Sequence, residues 1–469
     1  MSSSKNKIIL VSFVAALAGL LFGFDTGIIS GALLFIKNSF HVSIAMKEMI
    51  VGSVLIGAIL GSFSSGKLTD RYGRRGVMLV IAVLFILGTV IAALANSVNM
   101  ILLGRIFIGF AIGIGSYNAP LYIAEAAPSE RRGGLVTLNQ LMITIGIFTS
   151  YCINFVFANI DGSWRWMFAI GIIPAALLGL GMLFLPESPR WLVKQKQIEK
   201  ARKTLQYLRG SNSVEHEITE IQDSLQMKNA DFKQIFTKWL RPVLLIGLFL
   251  GFLQQAVGIN TIIYYAPTIF HMAGFKTAST SILATVGVGF LNVLATIFAV
   301  KYLDTLGRRP LLLAGLIGMG ISLLFLSYVF HSELHAVALR WLAVASTFIY
   351  IVSFAFSLGA LLWVIVSEIF PLEFRGVAMS FVVATSWFWN LTVSSTFLSL
   401  LHKLGASDTF IIYASICIIG FVVSYLWVPE TKGVTLEQIE NNIRDGYSVR
   451  DIGIPRKLKN KITPEVTHG

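Results

Sequence analysis

Cysteine is nearly absent from this 469-residue chain: Cys152 and Cys417 are the two it has, both inside apolar stretches, so no disulfide framework is implied. Charge is scarce too. Asp, Glu, Lys and Arg supply 13% of the residues against 55% hydrophobic, and the mean hydropathy is +0.75. Soluble domains carry roughly 25% charge, so this composition excludes a water-soluble protein. The seven histidines form no metal-binding cluster, since His331 and His335 share helical spacing but lack further ligands and read as a solvated face. No nucleophile-base constellation and no cofactor loop stands out, so neither an enzyme nor a cofactor is expected. The chain has 37 Lys and Arg against 24 Asp and Glu, yet nucleic-acid binding would require a soluble basic domain with base-reading or stacking elements.

What the chain does have is apolar runs near the roughly 20 residues a bilayer-spanning helix needs. They fall at about 8–36, 48–66, 77–95, 100–122, 135–158, 166–186, 241–270, 280–300, 311–330, 340–367, 377–401 and 409–428, which makes twelve spans. Most Lys and Arg lie in loops on one side, including Lys67, Arg71, Arg74 and Arg75, so that side and both termini are expected in the cytoplasm. Lys5 and Lys7 before an apolar run mimic a signal peptide, but the run continues to about Phe35, too long for one, and reads as an uncleaved first span. Loops on the other side are short, and the sequon at Asn390 lies inside a span.

Two sequence blocks recur. The spacing of Glu125, Pro128, Arg132 and Gly133 repeats in Glu368, Pro371, Arg375 and Gly376, and Pro186-Glu187 repeats in Pro429-Glu430, both 243 residues on. A third pair, Asp70 with Gly73, Arg74 and Arg75 against Asp304 with Gly307, Arg308 and Arg309, is offset by 234. Duplicated blocks of apolar segments indicate a transporter of two related bundles with a substrate site between them. The expected organisation is an N-terminal six-helix bundle at 1–186, a cytoplasmic helical linker at 187–240, a C-terminal six-helix bundle at 241–428 and a cytoplasmic tail at 429–469. In the linker, Ile218, Ile221 and Leu225 recur at helical spacing among acids, and in the tail Leu436, Ile439 and Ile443 do the same, with disorder expected beyond about Asp451. Small-residue spacings such as Gly57/Gly61 and Gly109/Gly113 read as helix-packing positions.

Some residues do not belong in lipid. Asp25 in the first span and Arg105 in the fourth each cost about 2.5–3.5 kcal/mol if placed singly at a helix centre, so mutual pairing is the obvious relief. A static pair that fixes packing and a proton site whose separation changes between two conformations both remain open from residue types alone. The seventh span carries Gln254, Gln255, Gly258, Asn260, Tyr264 and Tyr265, with Gly258 and Pro267 weakening the helix. Neutral amides both donate and accept, which suits hydroxyl-rich neutral ligands, although singly they also serve as interhelical glue. Gln140, Asn292, Trp363, Trp387 and Asn390 on other spans can converge with them, while the two tryptophans equally suit an interfacial belt.

Together the Asp-Arg-x-Gly-Arg-Arg loop, Pro120 through Glu125, Pro186 through Leu192, Gln254-Gln255 with Asn260, and Pro429 through Gly433 resemble the sugar porter family of the major facilitator superfamily over about residues 8–445. The likeness is greatest to bacterial proton-coupled pentose and hexose symporters. It implies an all-α integral membrane protein of the major facilitator fold, twelve transmembrane helices in two bundles, alternating access and a central sugar site. Carried over by motif position, that site comprises Phe22, Gln140, Gln254, Gln255, Asn260, Tyr264, Asn292, Gly359, Trp363, Trp387 and Asn390. Family members with an acid at Asp25 are characteristically proton-coupled, whereas passive facilitators typically carry Asn there, so Asp25 and Arg105 become the coupling pair. The resemblance also implies a cytoplasmic salt-bridge network that locks the outward-open state. Its members are Arg74, Arg75, Glu125, Arg132, Glu187 and Arg190 in one half and Arg308, Arg309, Glu368, Arg375 and Glu430 in the other. Ser386 departs from the Gln or Asn common in relatives, which leaves the identity of the sugar open, and Thr305 marks the second arginine loop as a weakened copy.

The reading is a monomeric sugar:proton symporter of the inner or plasma membrane, its partners a monosaccharide such as xylose or glucose, the proton and the lipid bilayer. A passive facilitator shares every feature except the role of Asp25. A sugar sensor would need a longer signalling extension than the tail of about forty residues, and an antiporter of drugs or organic anions fits the amide-rich site poorly.

Overall fold

The computed structural model describes residues 2–128, 131–211, 213–226, 232–332 and 337–455; His335 and the tail after residue 455 lie outside them. The described residues are 86% helical, without strands among them. In lipid, a backbone N–H or C=O without an internal partner costs several kcal/mol, and an apolar chain of this kind meets that demand with helices.

The first half comprises α1 (Ser2–Phe40), α2 (Ile44–Tyr72), α3 (Arg74–Ala93), α4 (Val98–Ala126), α5 (Arg132–Phe157) and a sixth span split into α6 (Ser163–Ala169) and α7 (Ile172–Phe184). Three short helices follow, α8 (Pro189–Lys194), α9 (Ile198–Arg209) and α10 (Glu215–Gln226). The second half comprises α11 (Arg241–Ala256) and α12 (Ile259–Met272) as one broken span, then α13 (Ala278–Leu306) and α14 (Arg308–His331). It continues with the broken pair α15 (Val337–Phe356) and α16 (Leu358–Ile369), then α17 (Leu372–Ser394) and α18 (Phe397–Trp427), followed by α19 (Leu436–Arg444) and a 3-10 turn at Val449–Asp451. Among the described residues, twelve helical segments are long and apolar enough to cross a membrane.

Glycine sets the closest helix contacts. A Cβ on Gly23 would fall 1.8 Å from the Ile143 carbonyl oxygen, and one on Gly27 would fall 1.9 Å from Ser150 Oγ, so α1 lies directly on the α5 backbone. The pairs Gly57/Gly61 and Gly109/Gly113 do the same between α2 and α4, with would-be Cβ atoms 1.9–2.3 Å from carbonyl oxygens on the facing helix. Without a hydrophobic driving force between helices in lipid, such close packing supplies the dispersion contacts that hold them together. Large apolar side chains such as Phe63, Phe184 and Leu245 point outward.

The breaks are local. Gly258, at φ 92°, ends α11 and starts α12, whereas Pro267 sits inside the continuous α12 and does not interrupt it. The second broken span turns at Ser357, the residue before α16. The linker helices bury Leu205, Val214 and Ile218 and hold together through Arg209–Glu217 at 2.6 Å and Arg202–Glu215 at 2.6 Å. Arg209 also donates to the Ala126 carbonyl at 2.8 Å, which docks the linker on the end of α4. The tail stays packed further than its composition suggests, because Asn442 donates to the carbonyls of Ile452 at 2.8 Å and Ile454 at 3.2 Å.

Replacing Gly23 by Ala should lower stability by about 1–3 kcal/mol, because the facing atom is backbone and cannot step aside. Gly376→Ala, inside α17 with nothing within 4 Å of the new carbon, should not lower it. Thermal unfolding of the detergent-solubilised variants checks both, and equal midpoints would refute the packing argument.

Candidate functional site

Asp25 and Arg105 meet inside the first half. Arg105 Nη1 lies 3.2 Å from Asp25 Oδ1 and Nη2 lies 3.4 Å from Oδ2, a two-pronged pair, while Nε donates to the Ile50 carbonyl at 2.7 Å. The arginine is fully buried and the aspartate nearly so. Each charge has its partner, which is the condition for holding either one away from water.

Tyr264 on α12 is buried, with Asp25 and Thr26 of α1 and Asn390 of α17 close by. Along the broken seventh span the amides form a chain. Asn260 donates to Gln255 Oε1 at 2.7 Å; Gln255 Nε2 donates to Ser386 Oγ at 3.0 Å and Gln254 Oε1 at 3.2 Å; and Gln254 Nε2 donates to the Leu358 carbonyl at 3.2 Å. Leu358 precedes Gly359, and Ser386 precedes Trp387, whose ring lies 5.5 Å from that of Phe22 across the two halves. The hydrogen bonds thus join Asn260, Gln255, Gln254 and Ser386 and reach the backbone beside Gly359, while Phe22 and Trp387 meet ring to ring. Gln140 on α5, Asn292 on α13 and Trp363 on α16 make no side-chain hydrogen bond among the described residues.

A third polar assembly occurs twice, at the end of the bundle that carries the linker, called here the linker face. In the first half Arg74 Nε sits 2.7 Å from Glu125 Oε2, and Ser188 Oγ donates to the same oxygen at 2.5 Å. Glu187 accepts from the backbone N–H of Arg74 at 2.9 Å and of Arg75 at 3.1 Å, so its carboxylate caps α3. Burial pushes the Glu187 carboxyl above the usual range, and the N–H groups of Ser188, Arg75 and Arg74 pull the other way. In the second half Arg308 reaches Glu368 at 2.9 Å, Thr431 donates to Glu368 at 2.5 Å, and Glu430 accepts from the N–H of Arg308 at 3.1 Å and Arg309 at 3.0 Å. The glycine before each capped helix has positive φ, 81° at Gly73 and 88° at Gly307, and a side chain on either would meet the capping carboxylate.

Each assembly lies within one half. Among the described residues no salt bridge crosses between halves; Arg132 and Arg190 are exposed without a partner, and Arg375 donates to its own Phe370 carbonyl at 3.2 Å. Sequence reasoning missed three members, Ser188, Thr431 and Asn118. Asn118 donates to the Arg74 carbonyl at 2.8 Å from mid-helix, where nothing in its neighbours marks it. The repeat at Pro186 and Pro429 did run through Ser188 and Thr431.

The family described as "Sugar (and other) transporter" matches residues 11–443. The chain belongs to that family. Among curated relatives, the galactose-proton symporter of Escherichia coli K12 is 40% identical, the match covering 96% of this chain and 97% of the relative. The inward open conformation of the E. coli xylose transporter superposes with a TM-score of 0.81 at 33% identity, over 92% of this chain and 99% of that one. The proton:xylose symporter of the major facilitator superfamily bound to 6-bromo-6-deoxy-D-glucose gives 0.77 at 33% identity, over 93% and 99%. The fold is therefore the major facilitator fold, and the protein is a multi-pass membrane transporter, not an enzyme.

The duplicated carboxylate caps generate a paired test. Glu187→Ala and Glu430→Ala should each remove about 1–2 kcal/mol from one helix start and speed exchange of the first-turn amides of α3 or α14 roughly tenfold. Hydrogen exchange read by mass spectrometry checks this; unchanged protection at both helices would mean the carboxylates do not cap.

Proposed function

We propose that this transporter imports a monosaccharide, a pentose or hexose, together with a proton by alternating access. The observation that carries the reading is the buried Asp25–Arg105 pair together with the hydrogen-bonded chain of Asn260, Gln255, Gln254 and Ser386 in the second half. Phe22, Gln140, Gln254, Gln255, Asn260, Tyr264, Asn292, Gly359, Trp363, Trp387 and Asn390 bind the sugar, Asp25 takes up the proton, and Arg105 is its counter-charge. Amides that donate and accept match sugar hydroxyls, and the absence of a further charge among these residues disfavours a charged solute. Binding a proton at Asp25 weakens the hold of Arg105, so protonation and sugar binding favour the same rearrangement, and each tightens the other by the same factor.

The linker face is the cytoplasmic one, as its excess of Lys and Arg implies. The present conformation is then open to the cytoplasm, a reading supported by the absence of cross-half salt bridges there among the described residues and by the TM-score of 0.81 with the inward open xylose transporter. The two halves, 1–186 and 241–428, rock about the seam, while the linker at 187–240 and the tail at 429–469 stay cytoplasmic. Arg74, Arg75, Glu125, Arg132, Glu187 and Arg190, with Arg308, Arg309, Glu368, Arg375 and Glu430, form the cytoplasmic gate. Arg132 and Arg190, exposed without a partner among the described residues, and Arg375, held only by its own Phe370 carbonyl, are the members available to bridge when that face closes. One chain supplies both sides of the site, which supports a monomer.

Uptake of labelled xylose, glucose, galactose and arabinose into energised vesicles, with external pH recorded, tests the proposal. Accumulation with matching alkalinisation, abolished by a protonophore, is expected; equilibration without a pH change would make the protein a passive facilitator. Asp25→Asn should abolish concentrative uptake while sparing exchange, and survival of concentrative uptake in that variant would remove Asp25 from the proton path. Ser386→Ala, which takes one partner from Gln255, should weaken the Kd for the transported sugar about fivefold with coupling intact, as measured by titration calorimetry. An unchanged Kd would place Ser386 outside the binding chain.

A further inference from the structure

At the end of the bundle opposite the linker, one contact joins the halves through a carboxylate that none of the roles above uses. Glu48 lies in the second turn of α2, is 5% exposed, and is paired with no Lys or Arg among the described residues. Its two oxygens accept from Ser399 of the other half, Oε1 from the backbone N–H at 2.7 Å and Oε2 from Oγ at 2.6 Å.

Ser399 is the third residue of α18, where a helix has a backbone N–H without an internal partner. The local residue at the cap position, Thr396, does not satisfy it, because its hydroxyl is turned back onto the Thr392 carbonyl at 2.8 Å. The start of α18 is therefore capped by an acid from the other half, at the end of the helix where the dipole favours negative charge. When the halves part on this side, both hydrogen bonds break and the carboxylate is hydrated, so the contact belongs to one conformation only.

The same stretch of α2 is tied to the proposed proton site. Ile50, two residues on from Glu48, gives its carbonyl to Arg105 Nε at 2.7 Å, and Arg105 holds Asp25. A shift of Arg105 on protonation of Asp25 thus acts on the segment that carries Glu48.

We propose that Glu48 is a positioning residue for the transport cycle, a latch that holds the far face shut by capping α18 across the two halves, and that its release accompanies rearrangement at Arg105. The inference rests on the alternating-access reading above, but its test needs neither sugar nor a proton gradient, so the two fail separately.

The test compares hydrogen exchange in the full-length wild type, Glu48→Gln, Ser399→Ala and the double variant, each in lipid nanodiscs without substrate. A charge-assisted bond lost from one conformation shifts the balance between the two about tenfold or more. In Glu48→Gln, amides at the starts of α2 and α18 should exchange about tenfold faster, and amides at the linker-face starts of α5 and α17 should exchange more slowly as that side closes. Ser399→Ala should move both faces the same way by less, since the backbone N–H remains, and the double variant should not exceed Glu48→Gln. Faster exchange at the far face without slowing at the linker face would reduce Glu48 to a local helix cap and overturn the latch, as would additive effects or no change. If Glu48→Gln fails to fold, Ser399→Ala decides by the same two-face criterion.

Discussion

Two opposite charges, Asp25 and Arg105, sit buried inside the first half, and much of that half is arranged so that they can stay there. An unpaired charge at the middle of a spanning helix costs several kcal/mol, so α1 and α4 must come close enough for the two-pronged contact. The close approach is made by backbone without side chains: α1 lies on α5 through Gly23 and Gly27, and α4 lies on α2 through Gly109 and Gly113. The third guanidinium donor is used by the Ile50 carbonyl of α2, so one arginine fixes three helices together. A pair this confined cannot adjust gradually when the carboxylate is neutralised, and discrete rearrangement is what a two-conformation carrier requires.

The two ends of the bundle are built on one physical idea, a carboxylate on the start of a helix. At the linker face Glu187 caps α3 and Glu430 caps α14, both within their own half. At the far face Glu48 caps α18 from across the seam. A cap within a half keeps that half rigid as it rocks, while a cap between halves reports which side is shut. The duplicated linker-face pattern follows from the repeat of the chain; the far-face contact has no counterpart in that repeat.

How much of this could be read from the sequence differs by feature. The twelve spans, the two halves and the pairing of Asp25 with Arg105 were legible, since length, apolarity and the scarcity of intramembrane charge each leave few alternatives. The amide group was legible as residue types, but the order of its hydrogen bonds was not. Ser386 accepts from Gln255 and donates to Gln254 at 3.4 Å because α11 packs on α17 through Gly247 and Gly251, which faces those side chains to it. Pro267, an expected weak point of the seventh span, stays helical. The packed residues at 452–454 were hidden because composition around them reads as polar tail, and what holds them is tertiary: the Asn442 amide and the burial of Ile452.

Composition, period and repeat by themselves determined that this chain crosses a membrane as helices in two related halves, because the cost of exposing backbone or charge to hydrocarbon acts on each segment separately. Tertiary structure decided which charges share a partner, which amides form a chain, and that the salt bridges at the linker face lie within the halves while Glu48 reaches across. Those outcomes depend on distances between segments hundreds of residues apart, set by glycine contacts and helix breaks acting together, and no local pattern encodes them.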